Sequence, residues 1–580
     1  MLSLALQEYS FTIGLLIAFV GTILFAVLGR RHIADALKHS GVKPWHLLAG
    51  LLLVLVFLSA EVAIVQPTQQ LYFDDDIYQG MAVDLLHQGQ AWFCDYGTPT
   101  NCIIGEILHE PIGMPFNLAI GFAVFGVSIG TAYNTALVIS CFGVLLTFLV
   151  AFLLSKRFSV AFFSGLLMGL SPLLLVWART STSDIASFTY SILAVFFLLV
   201  FIKRKNVLTF GMLAFSVSLS SYMKVNALGM LPVLVLMYLF LDGKSLKETL
   251  SRNAKLIKRT FLQNTGFLVV LLLFVISISP EMFYSYNQLL YGTYDYVGVT
   301  IQNSCNMQQS MMVTGKFNFA NFNYNICANV LFWFNQYTGQ NIMQPILFTA
   351  LAILGAGLML IDKRRRELAS VGVWFLVFFF IYAFFYAGSV LYGVDWRFVL
   401  SMIAQVSILG GFGAGMLVDY AASIKANLKS HLPEILAGAA LVVLITASFA
   451  QFIPQLAIKP IDTIQAGDAR FYEGFVYNES SAIPTNCIVF TYDPGLFNIN
   501  NRSAAQMSFV YQSSTFMNIT NSYSCLVADW GYWCYTPDNL CTGLTYNFTL
   551  TPIVNSTFSQ DNKTYGFYYI KAKNSTNSTV

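Results

Sequence analysis

Of 580 residues, 56% are hydrophobic and only 10% are charged, and the mean hydropathy is +0.64. Soluble domains carry about 25% charged residues, so a water-soluble globule is excluded and most of the chain must lie in a bilayer. The formal net charge of +3 says little, because in a membrane protein the position of each Lys and Arg carries the information.

Crossing about 30 Å of hydrocarbon takes around 20 apolar residues. In chain order, twelve such runs lie near 11–29, 46–65, 130–153, 159–176, 186–202, 207–222, 226–241, 262–282, 343–361, 369–387, 398–418 and 434–454. Between them, the turns Arg30 to Lys43, Lys156-Arg157, Lys203 to Lys205, Lys244 to Arg259, Lys363 to Arg366 and Lys425 to Lys429 hold 21 of the 31 Lys and Arg. The opposite membrane loops hold four, Arg179, Lys224, Lys316 and Arg397, and the stretch from Gln66 to Asn134 holds none. This asymmetry assigns the six basic turns to the cytoplasm and turns the N-terminus outward. No basic segment precedes the first run, which reads as an uncleaved anchor rather than a signal peptide.

The expected architecture is an α-helical polytopic membrane protein with about 12 transmembrane helices and a small extracytoplasmic α/β C-terminal domain. The membrane domain spans 1–454 with outer loops 66–129 and 283–342, and the C-terminal domain spans 455–580. In the first loop Ile77, Met81 and Leu85 recur at helical spacing, as do Tyr78, Ala82 and Leu86, so a short amphipathic helix on the outer membrane face is expected from the Asp cluster onward. Pro115 to Phe125 is apolar but too short to span and reads as interfacial. In the C-terminal domain, Cys487 to Tyr492 reads as a strand, Ala504 to Gln512 as a helix and Tyr546 to Lys571 as two β segments. Asn574 to Val580 is expected to be disordered.

Eight of the nine cysteines fall in external segments: Cys94 and Cys102 in the first loop, Cys305 and Cys327 in the second, and Cys487, Cys525, Cys534 and Cys541 in the tail. Even numbers in each segment fit disulfides formed in an oxidising compartment, with the connectivity of the last four open. Every Asn-x-Ser/Thr sequon lies beyond the last span, at Asn478, Asn501, Asn518, Asn547, Asn555, Asn562, Asn574 and Asn577, marking the tail of a glycoprotein outside the cytoplasm.

Two groups of residues can carry chemistry. Asp74, Asp75 and Asp76 stand together at a water–membrane boundary, where a carboxylate can act as a general base; as plain structure they would cap the helix they open. His109 and Glu110, ahead of Pro111, close the same loop and could orient an acceptor. Arg179, Lys224 and Arg397, the only bases of the outer membrane loops besides Lys316, each end a span, which favours an anionic ligand such as a phosphate over snorkelling. Asp184 and Asp395 are candidate ion-pair partners for Arg179 and Arg397.

These residues resemble the polyprenyl-phosphate-dependent GT-C glycosyltransferases, in particular the protein O-mannosyltransferase and aminoarabinose-transferase branch and its archaeal relatives. Asp74-Asp75-Asp76-Ile77-Tyr78 through Ala82 is similar to that branch's Asp-Glu-x-x-Tyr-x-x-x-Ala pattern. His109-Glu110-Pro111 resembles its His-Pro-Pro element, and Ser171-Pro172 with Arg179 and Asp184 resembles its next outer loop. Lys224-Val225-Asn226 and Asp395-Trp396-Arg397-Phe398 resemble two later elements. Asp replaces Glu at 75 and Glu replaces Pro at 110. The Trp-Trp-Asp-Tyr-Gly element of oligosaccharyltransferases is absent, Asp529-Trp530-Gly531-Tyr532-Trp533 having similar residues in another order.

The resemblance implies inverting transfer of a hexose such as mannose from a polyprenyl or dolichyl phosphate to an acceptor hydroxyl of a protein, lipid or glycan. Asp74 would be the base, Asp75 its support and Asp76 the start of the helix. Tyr78, His109, Glu110, Arg179, Asp184, Lys224, Asp395 and Arg397 would bind substrate, the bases meeting the leaving phosphate. No nucleotide-binding or Gly-rich phosphate loop is present. No motif demands a cofactor, and Asp74, Asp76 and Glu110 could supply oxygen ligands to a divalent cation. Nucleic acid is not an expected partner. Transport or flipping of a lipid-linked anion, an oligosaccharyltransferase-like reaction, and a scaffold displaying the glycosylated tail are the competing readings.

Overall fold

The computed structural model describes residues 2–65, 74–107, 111–242, 265–291, 300–302, 308–310, 337–338, 341–342, 344–362, 365–384, 397–424, 432–458, 464–535, 541–559 and 561–573. The expectations for His109, Glu110, Lys316, Asp395, Asn574, Asn577 and the final segment fall outside these residues, as does the side chain of Asp74. The chain forms two compact units, one of residues 1–66, 137–178 and 183–460, the other of residues 67–136, 179–182 and 461–580.

Among the described residues eight helices are long and apolar enough to cross a bilayer: Tyr9–Leu28, Pro44–Ile64, Ile129–Ser155, Ser183–Lys203, Thr265–Phe283, Arg366–Phe384, Arg397–Ser423 and Leu432–Ala450. They make this a multi-pass integral membrane protein. The other four expected runs fall on shorter apolar helices, Phe158–Gly169, Val207–Met223, Ala227–Asp242 and Ile346–Met359. The run at 159–176 is not one span. Leu170 ends its first helix, and Pro172, which has no N–H to donate, opens a second over Pro172–Trp177 with Ser171 as its cap.

Within the membrane unit the helices pack through small residues, as expected where apolar burial gains nothing over lipid. Gly411 and Gly415, one turn apart on the Leu400–Ile424 helix, bring its backbone against Ser164 and Val160 of the Phe158–Gly169 helix; a Cβ on Gly415 would meet the Val160 nitrogen at 2.9 Å. At one end Arg157 bridges Asp362 at 3.0 Å and Asp419 at 3.6 Å, tying three helical segments together. Two small ribbons also belong to this unit, β3 (Thr300–Gln302) with β4 (Gln308–Ser310) and β5 (Tyr337–Thr338) with β6 (Asn341–Ile342).

The second unit is built on one seven-stranded sheet. Its strands are β1 (Trp92–Thr98), β2 (Asn101–Ile107), β7 (Cys487–Thr491), β8 (Ser503–Gln506), β9 (Cys525–Trp530), β10 (Phe548–Phe558) and β11 (Lys563–Ala572), in the order β10-β11-β9-β7-β8-β1-β2. β7 runs parallel to β8 and β9, and its fully buried Ile488, Val489 and Phe490 form the centre of the core. Every other pairing is antiparallel. The hairpin β1–β2 comes from the first loop and joins the C-terminal strands through Tyr96 opposite Ala505 and Gly97 opposite Ala504.

Disulfides join Cys94 to Cys102, Cys487 to Cys525 and Cys534 to Cys541, which settles the pairing of the last four cysteines. The remaining expected disulfide cysteines of the second loop, Cys305 and Cys327, both lie outside the described residues, so the three bridges found among those residues do not include them. All six sequon asparagines among the described residues, Asn478, Asn501, Asn518, Asn547, Asn555 and Asn562, are exposed.

The expected strands at Cys487 and over 546–571 are present. Ala504 to Gln512 is not a helix: its first residues are strand β8, and a 3-10 turn follows over Met507–Tyr511. Ala504 and Ala505 are wholly buried between β7 and β1, a site that rewards small side chains in an extended backbone. The helix opening at the Asp cluster forms over Asp74–Gln88, but it is not amphipathic, since all ten residues from Asp75 to Asp84 are buried. It packs against the Gly113–Phe125 helix, β1 and the Pro494–Ile499 helix, so its polar face meets protein instead of water.

Gly80 and Gly495 allow the last of these contacts: a Cβ on Gly80 would lie 3.1 Å from the Gly495 Cα, and one on Gly495 would lie 2.9 Å from the Asp76 carbonyl oxygen. Gly495→Val should therefore lower the stability of the second unit by about 1–3 kcal/mol, the usual cost of overpacking. Thermal unfolding of the purified protein checks this, and an unchanged Tm would contradict the close approach.

Candidate active site

Asp75 sits in the first helical turn and is fully buried. Its Oδ1 accepts the Ser181 backbone N–H at 2.5 Å, and Gln79, one turn later, donates Nε2–H to the Ser181 hydroxyl at 2.9 Å. Segment 179–182 is thus docked along the first two turns of the 74–88 helix by a charge-assisted bond, roughly twice as strong as a neutral one. Within it the hydroxyls of Thr180 and Thr182 lie 3.1 Å apart, and Arg179 is half-buried with no hydrogen-bond partner at Nε. Tyr78 is buried within the same helix.

Asp76 is buried too. Asp493 is the N-cap of the Pro494–Ile499 helix, which packs against the 74–88 helix. Asp493 Oδ1 accepts the Leu496 N–H at 3.4 Å, and its own N–H donates to Thr491 Oγ1 at 3.1 Å. Thr491 in turn donates to Asp529 Oδ2 at 2.8 Å, and Tyr472 donates to the same oxygen. Burial pushes Asp493 up to about 6 against the donors that hold it down, and burial pushes Asp529 up to about 7. Tyr133 donates to Glu473 Oε1 at 2.9 Å beside this network.

In the membrane unit Asp184 opens the Ser183–Lys203 helix. It does not pair with Arg179, as the sequence suggested. Lys224 donates to Asp184 Oδ1 at 2.6 Å, and Arg397 Nε lies 3.7 Å from Asp184 Oδ2. Phe398 lies beneath both cations, 4.4 Å from Lys224 Nζ and 5.2 Å from the Arg397 guanidinium carbon. One buried carboxylate therefore serves two cations. The ring contributes about 0.5–2 kcal/mol per cation.

The sequence singled out all five of Lys224, Arg397, Asp184, Asp75 and Arg179 but grouped Arg179 with the other two bases and paired Asp184 with it; the structure joins Asp184 to Lys224 and Arg397, and the 179–182 segment to Asp75. The sequence missed Asp493, Asp529, Tyr472, Glu473 and Tyr133. The run Asp493-Pro494-Gly495 carried a usable signal, an N-cap acid ahead of a proline at the first helical position; the others carried none.

Among the described residues Asp84, Cys94 and Cys102 form a grouping of metal-ligand type within 4.8 Å. The two sulfurs are joined as a disulfide, so no thiolate is available to a soft cation, and one carboxyl does not make a site. Burial pushes Asp84 up to about 8, as suits a neutral acid in apolar surroundings.

The model of the family described as dolichyl-phosphate-mannose-protein mannosyltransferase matches residues 109–284, a range that includes Arg179, Asp184 and Lys224. Among solved structures, ArnT from Cupriavidus metallidurans bound to undecaprenyl phosphate is 12% identical, with 90% of this chain and 97% of that chain covered and a TM-score of 0.53. The archaeal oligosaccharyltransferase AglB from Archaeoglobus fulgidus, in complex with an inhibitory peptide and a dolichol-phosphate, is 11% identical, with 90% and 74% covered and a TM-score of 0.50. The chain thus shares the fold of these two membrane proteins, and its residues 109–284 match the mannosyltransferase family model. No curated protein matches the chain. The Asp-rich helix and Arg397 lie outside the matched range.

The raised pKa of Asp529 has a sign that can be tested. The folded state holds its proton from the unfolded carboxylate value up to about 7, so stability from this group is full below that window and falls as pH rises through it. In Asp529→Asn the amide oxygen still accepts from Tyr472 and Thr491 and never ionises. The Tm of the variant relative to the native protein should therefore increase between about pH 5 and about pH 8. A constant difference would mean that Asp529 is not protonated in the fold.

Proposed function

We propose that the chain is a glycosyltransferase that moves a single sugar, mannose being the type suggested by the matching family model, from a polyprenyl or dolichyl phosphate to an acceptor hydroxyl with inversion at the sugar carbon. The observation that carries the reading is the pair of cations sharing one carboxylate at Asp184. A lipid-phosphate sugar is a phosphodiester with one negative charge, and it leaves as a phosphomonoester that develops a second. Lys224 and Arg397, already fixed by Asp184 and Phe398, offer preorganised positive charge for that change and need no reorganisation when it develops.

The acceptor oxygen attacks the sugar carbon, the bond from that carbon to the phosphate oxygen breaks, and the acceptor proton passes to a carboxylate. Asp74 is the proposed base. Asp75 is held by the Ser181 N–H and supports the turn that carries Asp74. The Arg179 guanidinium, with an unpartnered Nε, is a further donor for an anion. His109, Glu110 and Asp395 retain their proposed substrate-binding roles. The neighbours solved with dolichol-phosphate and undecaprenyl phosphate support a lipid-linked donor, and the family description supports a protein hydroxyl as acceptor. The one-sided distribution of Lys and Arg, the disulfides and the exposed sequons support an extracytoplasmic reaction face.

Asp74→Asn should lower transfer by about 100-fold or more, the usual weight of a general base, in protein that still unfolds cooperatively; full activity would remove Asp74 from the mechanism. Lys224→Ala should raise the donor KM by about 10- to 100-fold, in line with the loss of a bond to a charged group, and leave the acceptor KM unchanged. Equal effects on both substrates would make Lys224 structural.

A further inference from the structure

We propose that Gln79 is a positioning residue of this site, holding segment 179–182 so that Arg179 meets the anionic end of the lipid-linked donor. The inference rests on the transferase reading above and adds to it an uncharged residue outside the Asp cluster.

Asp75 and Gln79 stand one turn apart on the Asp74–Gln88 helix, and side chains at that spacing share a face. Both hold the same residue. Asp75 Oδ1 accepts the Ser181 backbone N–H at 2.5 Å, and Gln79 Nε2 donates to the Ser181 hydroxyl at 2.9 Å. A single bond to the backbone would let the segment pivot about it; a second bond, to the side chain of the same residue, removes that freedom. The hydroxyls of Thr180 and Thr182, 3.1 Å apart on either side of Ser181, draw the segment into a tight bow around the held residue. Arg179 opens this bow two residues before Ser181, so the way Ser181 is held sets where Arg179 starts.

Stability alone does not account for Gln79. Its side chain is buried, and Oε1 has no hydrogen-bond partner among the described residues. A buried acceptor left without a donor costs at least as much as the hydrogen bond at the other end of the amide contributes. An apolar side chain of similar size, facing alanine at 181, would fill the space without that cost. An amide that adds no stability is explained by what it places: Ser181, and through it Arg179, whose Nε has no hydrogen-bond partner among the described residues.

The test uses the full-length protein in lipid nanodiscs and reads Tm and transfer on the same samples. Gln79→Met combined with Ser181→Ala removes both partners of the bond together with the orphaned oxygen, and leaves the Asp75 bond to the backbone in place. This double variant should unfold at the native Tm or above. Its donor KM for polyprenyl-phosphate hexose should nevertheless rise about three- to tenfold, the range of one neutral hydrogen bond, with the acceptor KM unchanged. Ser181→Ala alone, the smaller change, should raise the donor KM as much. In an Arg179→Ala background the double substitution should add nothing further, because effects that act through one shared residue are not additive. A native donor KM in both variants, an equal rise in the two KM values, or a further rise of the same size in the Arg179→Ala background would each overturn the proposal.

The hold is also readable without transfer. Polyprenyl phosphate titrated alone should bind the native protein about three- to tenfold more tightly than the double variant. If the native protein transfers no sugar yet this difference is found, the transferase reading fails while the placing of Arg179 by Gln79 stands. If sugar is transferred and the two proteins bind the lipid phosphate equally, the proposal fails and the transferase reading stands.

Discussion

A carboxylate taken out of water must find a proton or a donor, and the organisation of the second unit follows from that requirement. Its buried acids are partnered in different ways: Asp75 by the Ser181 N–H, Asp493 by the Leu496 N–H, Asp529 by two hydroxyls and Glu473 by Tyr133. Two of these bonds, Asp75 to Ser181 and Glu473 to Tyr133, join separate stretches of sequence. Loop 67–136, segment 179–182 and the C-terminal residues become one compact unit because each holds a polar group that the others must satisfy. The strand pairing of β1 with β8 adds a second tie between the same stretches.

The same requirement acts in the membrane unit. Asp184 pairs with Lys224 and Arg397 together, and Phe398 lies beneath both cations. A cation at a helix end with no partner in the protein would snorkel to water; these two are drawn instead onto one buried anion. That fixed pair of cations is what the proposed function uses.

The membrane architecture could be read from the sequence because a bilayer imposes a length, and the twelve expected runs all fall on helices. The break at Ser171-Pro172 was visible as a motif and yet read through as a span, since hydropathy does not register a missing N–H. The β1–β2 hairpin went unread because its pairing with β8 joins residues about 400 positions apart, which no local pattern encodes. Cysteine counting succeeded for Cys94 with Cys102, where a segment held only two, and needed the fold to choose among the four of the tail; Cys305 and Cys327 fall outside the described residues. The 74–88 helix was placed correctly and its surroundings were not. Periodicity finds the apolar face, while the polar face of Asp75, Asp76 and Gln79 is as consistent with water as with the protein donors that occupy it. Asp184 was singled out with the wrong partner for a similar reason: nearness in sequence favoured Arg179, and the fold brings Lys224 and Arg397 instead.

The central claim is that the chain breaks the bond between a sugar and a lipid phosphate. The most direct measurement reconstitutes the purified protein in sealed vesicles with polyprenyl-phosphate hexose labelled in the sugar, adds a hydroxyl acceptor outside, and follows both label and lipid. The account predicts labelled acceptor together with an equal amount of free polyprenyl phosphate. Label that stays on the lipid and only changes leaflet would contradict it and make the protein a carrier.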